Sequence, residues 1–195
     1  MNIDRNRADL EAVNAQFNRE LRYQVDGILP KNHIYQLGSP GEILLSAGIR
    51  DLPVELSAER LAYKASENYH HTFSILEVKN LPKAINYPLA VFAYGDKTKA
   101  VNIITEIEKN WKNFLVGISL NPEINGLKLN VHSVRTVFPK DILEWTNWIC
   151  HSKALYLNKE KVLSLLANPR LPEDVAKIPA LIQKINGFQN PTLLV

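Results

Sequence analysis

Apolar positions recur at helical spacing along the first stretch of the chain. From about Asp4 to Val25, Leu10, Val13, Phe17 and Leu21 form one stripe, with Arg5, Gln16 and Arg19 opposite and the small Ala12 and Ala15 between them. This is the pattern of an amphipathic helix, which either docks on a core or receives a partner. Asp26 to Asn32, with Gly27 and Pro30, reads as a linker. Ser39-Pro40-Gly41-Glu42 then supplies a capping side chain, a proline for the first turn and an acid for a capping box, so a short helix is expected up to Gly48. A brief strand is expected at Val54 to Leu56. Ser57 caps a helix from Ala58 to about Asn68, which sets Arg60 and Lys64 one turn apart on the same face. Ser74 and Glu77 repeat the capping-box spacing and open a helix through Val78 and Leu81, limited by Pro82 and Pro88.

From Leu89 the period shifts from 3.6 toward 2. Leu89 to Tyr94 is apolar, and Gly95-Asp96 followed by Lys97 marks a hairpin turn. Val101 to Ile107 alternates, Phe114 to Leu120 is nearly all apolar, and Lys128 to Phe138 is the longest strand. Asn121-Pro122 and Asn125-Gly126 mark the connection between the last two. Four consecutive strands joined by short turns predict an antiparallel meander. Pro139 is expected to start a helix in which Ile142, Trp145 and Ile149 share a face. Leu155 to Leu157 is extended, Asn158 caps Lys159 to Ala167, and a last helix from Glu173 to Ile185 is split by Pro179 before a loosely held tail from Gly187.

The fold class expected is therefore α+β: two helices followed by a four-stranded antiparallel sheet, with N-terminal and C-terminal helical extensions. The divisions expected are an N-terminal helix and linker over 1–34, an α+β core over 35–168, and a C-terminal helix and tail over 169–195.

Composition changes this picture little and narrows the chemistry more. The 195 residues suffice for one hydrophobic core, and 46% hydrophobic with 22% charged residues is an ordinary globular balance. One cysteine, Cys150, excludes an internal disulfide framework and a multi-cysteine zinc site. The charged N-terminus does not read as a signal peptide, and no apolar run approaches the about 18 residues of a membrane span, so a cytoplasmic protein with no membrane partner is expected. A net charge of +3 permits contact with RNA without requiring it. There is no Gly-rich phosphate loop, no dinucleotide fingerprint and no nucleophile elbow, and no cofactor is expected. Cys150 beside His151 closes an apolar helix; neighbours there point about 100° apart, so they form no nucleophile–base pair by themselves.

The last long strand carries the most chemistry. Under strict alternation Leu129, Val131, Ser133, Arg135 and Val137 share one side, so Ser133 and Arg135 interrupt an apolar face. A buried arginine either meets a carboxylate or faces a cleft that binds an anion. The other side mixes Asn130, His132 and Thr136 with Val134 and Phe138, so both faces remain eligible for burial. His70 and His71 precede the Ser74 cap in a polar stretch, where an imidazole can do general acid–base work or simply be solvated. Two adjacent histidines supply two metal ligands at best, and no metal site is expected.

Several blocks carry a resemblance. Gly38-Ser39-Pro40, Ile43-Leu44, Ala47-Gly48-Ile49 and Leu52 to Ser57 form an opening block. Leu81-Pro82-Lys83-Ala84-Ile85-Asn86-Tyr87-Pro88-Leu89-Ala90-Val91-Phe92 follows His71, and Val134 to Lys140 precedes Trp145 to Ile149 and Tyr156. Their order over about Tyr35 to Leu166 resembles the phage and mobile-element domains grouped with the barnase–EndoU–colicin–RelE (BECR) nucleases, found at the C-terminus of MuF-type and polyvalent proteins. The doubled histidine at His70 departs from that pattern. The resemblance implies a ribonuclease-like or toxin-like activity on RNA, with His71, Arg135 and Thr136 as catalytic residues and Lys64 and Ser133 as substrate-binding neighbours. The alternative is a non-catalytic protein-binding module on a degenerate nuclease fold, with the N-terminal helix as the surface for a protein partner.

Overall fold

Strand-forming runs rich in valine, isoleucine and phenylalanine build most of the sheet, and short flanking pieces widen it. The structure, a computed structural model, describes residues 3–66, 72–95, 99–151, 154–168 and 179–193. Strands β1 (Ile34–Gln36), β2 (Val54–Ser57), β3 (Ala90–Ala93), β4 (Ala100–Lys109), β5 (Lys112–Ser119), β8 (His132–Asp141) and β9 (Ala154–Leu157) form one sheet in the order β1-β2-β8-β5-β4-β3-β9. Strands β6 (Glu123–Ile124) and β7 (Leu127–Lys128) form a separate hairpin. Its turn is Asn125-Gly126, both residues at positive φ, as a two-residue hairpin turn demands.

The sheet corrects the expected fold: it has seven strands and is mixed, not four-stranded and antiparallel. β2 runs parallel to β8, with Val54 opposite His132 and Glu55 opposite Ser133, while every other neighbouring pair is antiparallel. Strands of three or four residues are too short to show a period, and a parallel join between positions this far apart in sequence leaves no local signal.

Two apolar layers sandwich the sheet. On the first face lie α1 (Ile3–Val25), α2 (Glu42–Ser46), α3 (Ala58–Ala65), a 3₁₀ turn (Ile75–Val78) and α4 (Leu81–Asn86). Phe17, Leu21, Leu44, Leu61, Val78 and Ile85 from these elements meet Tyr35, Leu56, Val134, Val116, Ile103 and Val91 of the sheet. Asn14 and Asn18 of α1 both donate to the Asn80 side chain at 2.8 Å, gripping the left-handed residue that opens α4. On the second face α5 (Ile142–Cys150), α6 (Lys159–Leu166) and α7 (Pro179–Gly187) pack Trp145, Ile149, Val162 and Leu181 onto Ala90, Phe92, Ile104, Leu115 and Leu157. This second layer draws its fully buried sheet residues from β3, β4, β5 and β9, and none from β1, β2 or β8.

Local expectations are corrected at several ends. Gly41, not Ser39, is the N-cap of α2, and its N–H donates to the Asn86 side chain. The Ser74–Glu77 capping box forms, but on the 3₁₀ turn; Asn80 at φ 65° breaks the chain before α4 begins at Leu81. Pro139 lies inside β8, and Asp141 caps α5 instead. β2 pairs only with His132 and Ser133, so at Pro139 one side of β8 has no described strand, the edge setting in which a strand proline is found. The tail is held at Asn190, whose side chain accepts from Leu157 N–H and donates to Leu157 carbonyl, each at 2.8 Å, closing the outer edge of β9. The stretch expected to turn at Gly95-Asp96-Lys97 and the start of the Glu173 helix lie partly outside the described residues.

Candidate functional site

Strand β8 does not alternate strictly, and that one irregularity builds the site. Against β5, Val137 pairs with Val116, Thr136 with Gly117, Val134 with Ile118 and Ser133 with Ser119. Arg135 has no opposite number: it is the extra residue of a β-bulge, a feature that bends a strand and re-aims side chains. Val134 and Val137 consequently both enter the first-face core. Ser133 and Thr136 both lie on the second face, because Ser119 and Gly117, two apart on β5, share that face. Strict alternation puts Ser133 with Arg135 and Val137, and Thr136 opposite them; the bulge overturns that grouping and brings the two hydroxyls together.

Around them the second face is polar. Register places Asn102, Gly117 and Thr136 in one row, and Glu55, Ser133, Ser119 and Ala100 in the next. Gly117 is needed for contact rather than for backbone freedom. A Cβ there would meet Thr136 Cγ2 at 2.8 Å and Asn102 Oδ1 at 3.3 Å. Glu55 is half-buried and accepts from Gln36 at 3.2 Å, so it is not the partner that locks Arg135. Arg135 is exposed and has no carboxylate partner among the described residues.

Lys64 comes from the other side of the sheet, on α3, where it is half-buried with its ammonium 5.7 Å from the Tyr63 ring centroid. The Ser57 hydroxyl accepts from Arg60 N–H and starts this helix. Arg60 was legible only as a cation one turn before Lys64; the structure gives it a place in the site. Its guanidinium donates to the Val134 carbonyl at 3.5 Å, one peptide before the bulged Arg135. The structure thus gathers Ser133, Thr136 and Arg135 on one strand and joins α3 to that strand through Arg60. His71 and His70 lie outside the described residues. The next residue, Thr72, is anchored: its carbonyl accepts from Lys109 Nζ at 3.1 Å, and Lys109 also pairs with Glu77 at 2.9 Å. Phe73 beside it is buried edge-on against Phe114, with centroids 5.2 Å apart.

The histidine on β8 plays a structural part. His132 is fully buried; its Nδ1 accepts from Asn121 N–H at 3.1 Å and its Nε2–H donates to the Arg50 carbonyl at 2.8 Å. Those partners require the neutral ring, and burial pushes its pKa below the ordinary value, only partly offset by the Arg50 carbonyl bond.

Residues 62–164, just over half the chain, match the phage MuF C-terminal domain. The chain belongs to that family. The match spans Lys64, His71, the Leu81–Phe92 block and the whole of β8, whereas the Gly38–Ser57 block precedes it. No curated protein and no solved structure matches the chain. No described helix of this MuF C-terminal domain is long and apolar enough to cross a membrane.

Proposed function

We propose that this MuF C-terminal domain is a metal-independent, ribonuclease-like effector domain of the BECR type, acting on RNA by general acid–base catalysis. The reading rests chiefly on the bulge at Arg135, which stands in the strand between two hydroxyls of one sheet face and has no carboxylate partner among the described residues. In such a reaction the substrate supplies the nucleophile. A base takes the proton of the 2′-hydroxyl, the 2′-oxygen bonds to phosphorus, and the bond to the 5′-oxygen breaks as an acid returns a proton there. The protein must contribute a base, an acid and positive charge for the pentacoordinate intermediate. His71 is assigned the proton transfers and Arg135 the charge. Thr136 and Ser133 position the phosphate, and Lys64 adds to the field.

The test is incubation with total RNA and tRNA in EDTA. The wild type should cleave, and His71→Ala and Arg135→Ala should each lose about a hundredfold or more in rate. No cleavage by the wild type, or equal cleavage by either variant, overturns the assignment.

One observation favours a second reading, a non-catalytic protein-binding module. Ile124 and Leu127, a cross-strand pair on the β6–β7 hairpin, are 56% and 73% exposed. The apolar stripe of α1, by contrast, turns inward, with Phe17 and Leu21 fully buried. This second reading predicts inertness to RNA and a complex retained on pull-down; a monomer that retains no partner counts against it.

A further inference from the structure

Elsewhere in this fold side-chain hydroxyls are satisfied internally: Thr105, Thr146 and Ser46 each donate to a backbone carbonyl, at 3.0, 2.7 and 2.9 Å. The two polar rows of the second face differ. Ser119, Ser133, Thr136 and the Asn102 amide make no side-chain hydrogen bond among the described residues, although Ser119 is only 8% exposed and the other three are half-buried. Glu55, opposite Ser133, is half-buried too. Gln36 donates to its Oε1, and it is in no ion pair among the described residues. The buried contacts of α5, α6 and α7 fall on other sheet residues, so no described helix seals these rows. Polar groups partly withdrawn from water without a protein partner cost stability, and the hydrogen bonds of a ligand offset that cost.

Glu55 narrows the chemistry of that ligand. It is the one charged side chain in the two rows, so the floor around it repels phosphate, which belongs beside Arg135 at the bulge. What suits the floor is the uncharged, hydrogen-bonding part of a nucleotide, its base. A carboxylate can only accept, and it accepts best from two parallel N–H groups. Unpaired RNA bases offer their Watson–Crick edges to such groups. Guanine alone among the four puts two donors side by side there, N1–H and the N2 amino group. Adenine and cytosine set one amino group beside a ring acceptor, and uracil flanks one N–H with two carbonyls. We infer that this floor is a nucleobase subsite in which Glu55 selects guanine, while Ser119 and Asn102 donate to the acceptors at the other edge of the base. The inference rests on the proposed ribonuclease reading and adds to it a base preference and three residues, Glu55, Asn102 and Ser119.

Binding is separated from cleavage by titrating the protein with 3′-GMP, 3′-AMP, 3′-CMP, 3′-UMP and 3′-IMP and following amide shifts by NMR. The wild type should bind 3′-GMP about tenfold or more tighter than each of the others. Inosine tests the donor pair directly, because it keeps N1–H and lacks only the N2 amino group. Glu55→Gln, whose amide replaces one acceptor by a donor, should erase the preference. Cleavage is then followed on 2′-O-methyl strands that carry one ribonucleotide, G, A, C or U, of which the wild type should cut the guanosine strand fastest. Thermal melting shows whether Glu55→Gln leaves the fold intact, and the comparison of 3′-IMP with 3′-GMP needs no variant. Equal affinity for those two, equal affinity for all the bases, or a preference that survives Glu55→Gln overturns the guanine subsite. If RNA is cleaved in EDTA without regard to base, this inference alone falls. If 3′-GMP is preferred through Glu55 but no RNA is cleaved, the subsite stands and the ribonuclease reading falls. If the wild type neither cleaves RNA nor binds any of the nucleotides, both fall.

Discussion

His132 shows how a single buried side chain can be structural while looking chemical. A backbone N–H can only donate and a carbonyl can only accept, so Asn121 and Arg50 between them dictate one neutral tautomer. Protonation would set a second ring N–H against the Asn121 N–H in a buried site. The unfolded chain takes up this proton near 6.5, while the native ring resists it to a lower pH. Between those two values the unfolded state binds more protons, so stability falls as pH drops through that window and is fully present above about 6.5. Urea denaturation across this range should therefore show a declining midpoint in the wild type. His132→Gln, which cannot titrate, should be less stable but flatter over the same interval. An identical slope in both proteins would remove His132 from the acid response.

At the scale of elements, the bulged pairing of β8 with β5 decides what the site contains. Deviation by one residue moves every side chain beyond it to the other face, and the extra Arg135 does this between Ser133 and Thr136. Gly117 is the counterpart on β5, because Thr136 Cγ2 and Asn102 Oδ1 close over the space a Cβ would take. Gly117→Ala should cost about 1–3 kcal/mol of stability by overpacking. Adding Thr136→Ser removes the crowding methyl and should recover part of that loss. Non-additivity in this double-mutant cycle, measured by chemical denaturation, is the expected sign of direct contact; strict additivity would place the strain elsewhere.

For the whole molecule, the ends of the sheet matter as much as its middle. Asn190, just after α7, gives β9 the two hydrogen bonds that a further strand would give. An open edge invites pairing with other chains. Asn190→Ala should cost about 1–3 kcal/mol because it leaves the Leu157 backbone groups without this partner, and it should raise self-association at high concentration in light scattering. An unchanged melting temperature together with an unchanged monomer would show that the tail is dispensable to the edge.

Local chemistry made much of this legible. Ser57, Asn158 and the Ser74–Glu77 box are caps whose signal lies within four residues, and each caps the element that follows it. The stripe of Phe17 and Leu21 and the Asn125-Gly126 turn are equally local and equally readable. Of the site, the sequence alone carried Ser133, Arg135, Thr136, Lys64 and His71 as residue types, without their faces. Those depend on pairing between distant segments: the bulge exists only against β5, the parallel join of β2 to β8 only against a strand far along the chain, and Arg60 joins the site only where α3 crosses Val134. Periodicity within one segment cannot register an unpaired residue, because a bulge is a mismatch between two strands. The sequence determined which residues could bind an anion; the tertiary pairing decided which of them share a surface.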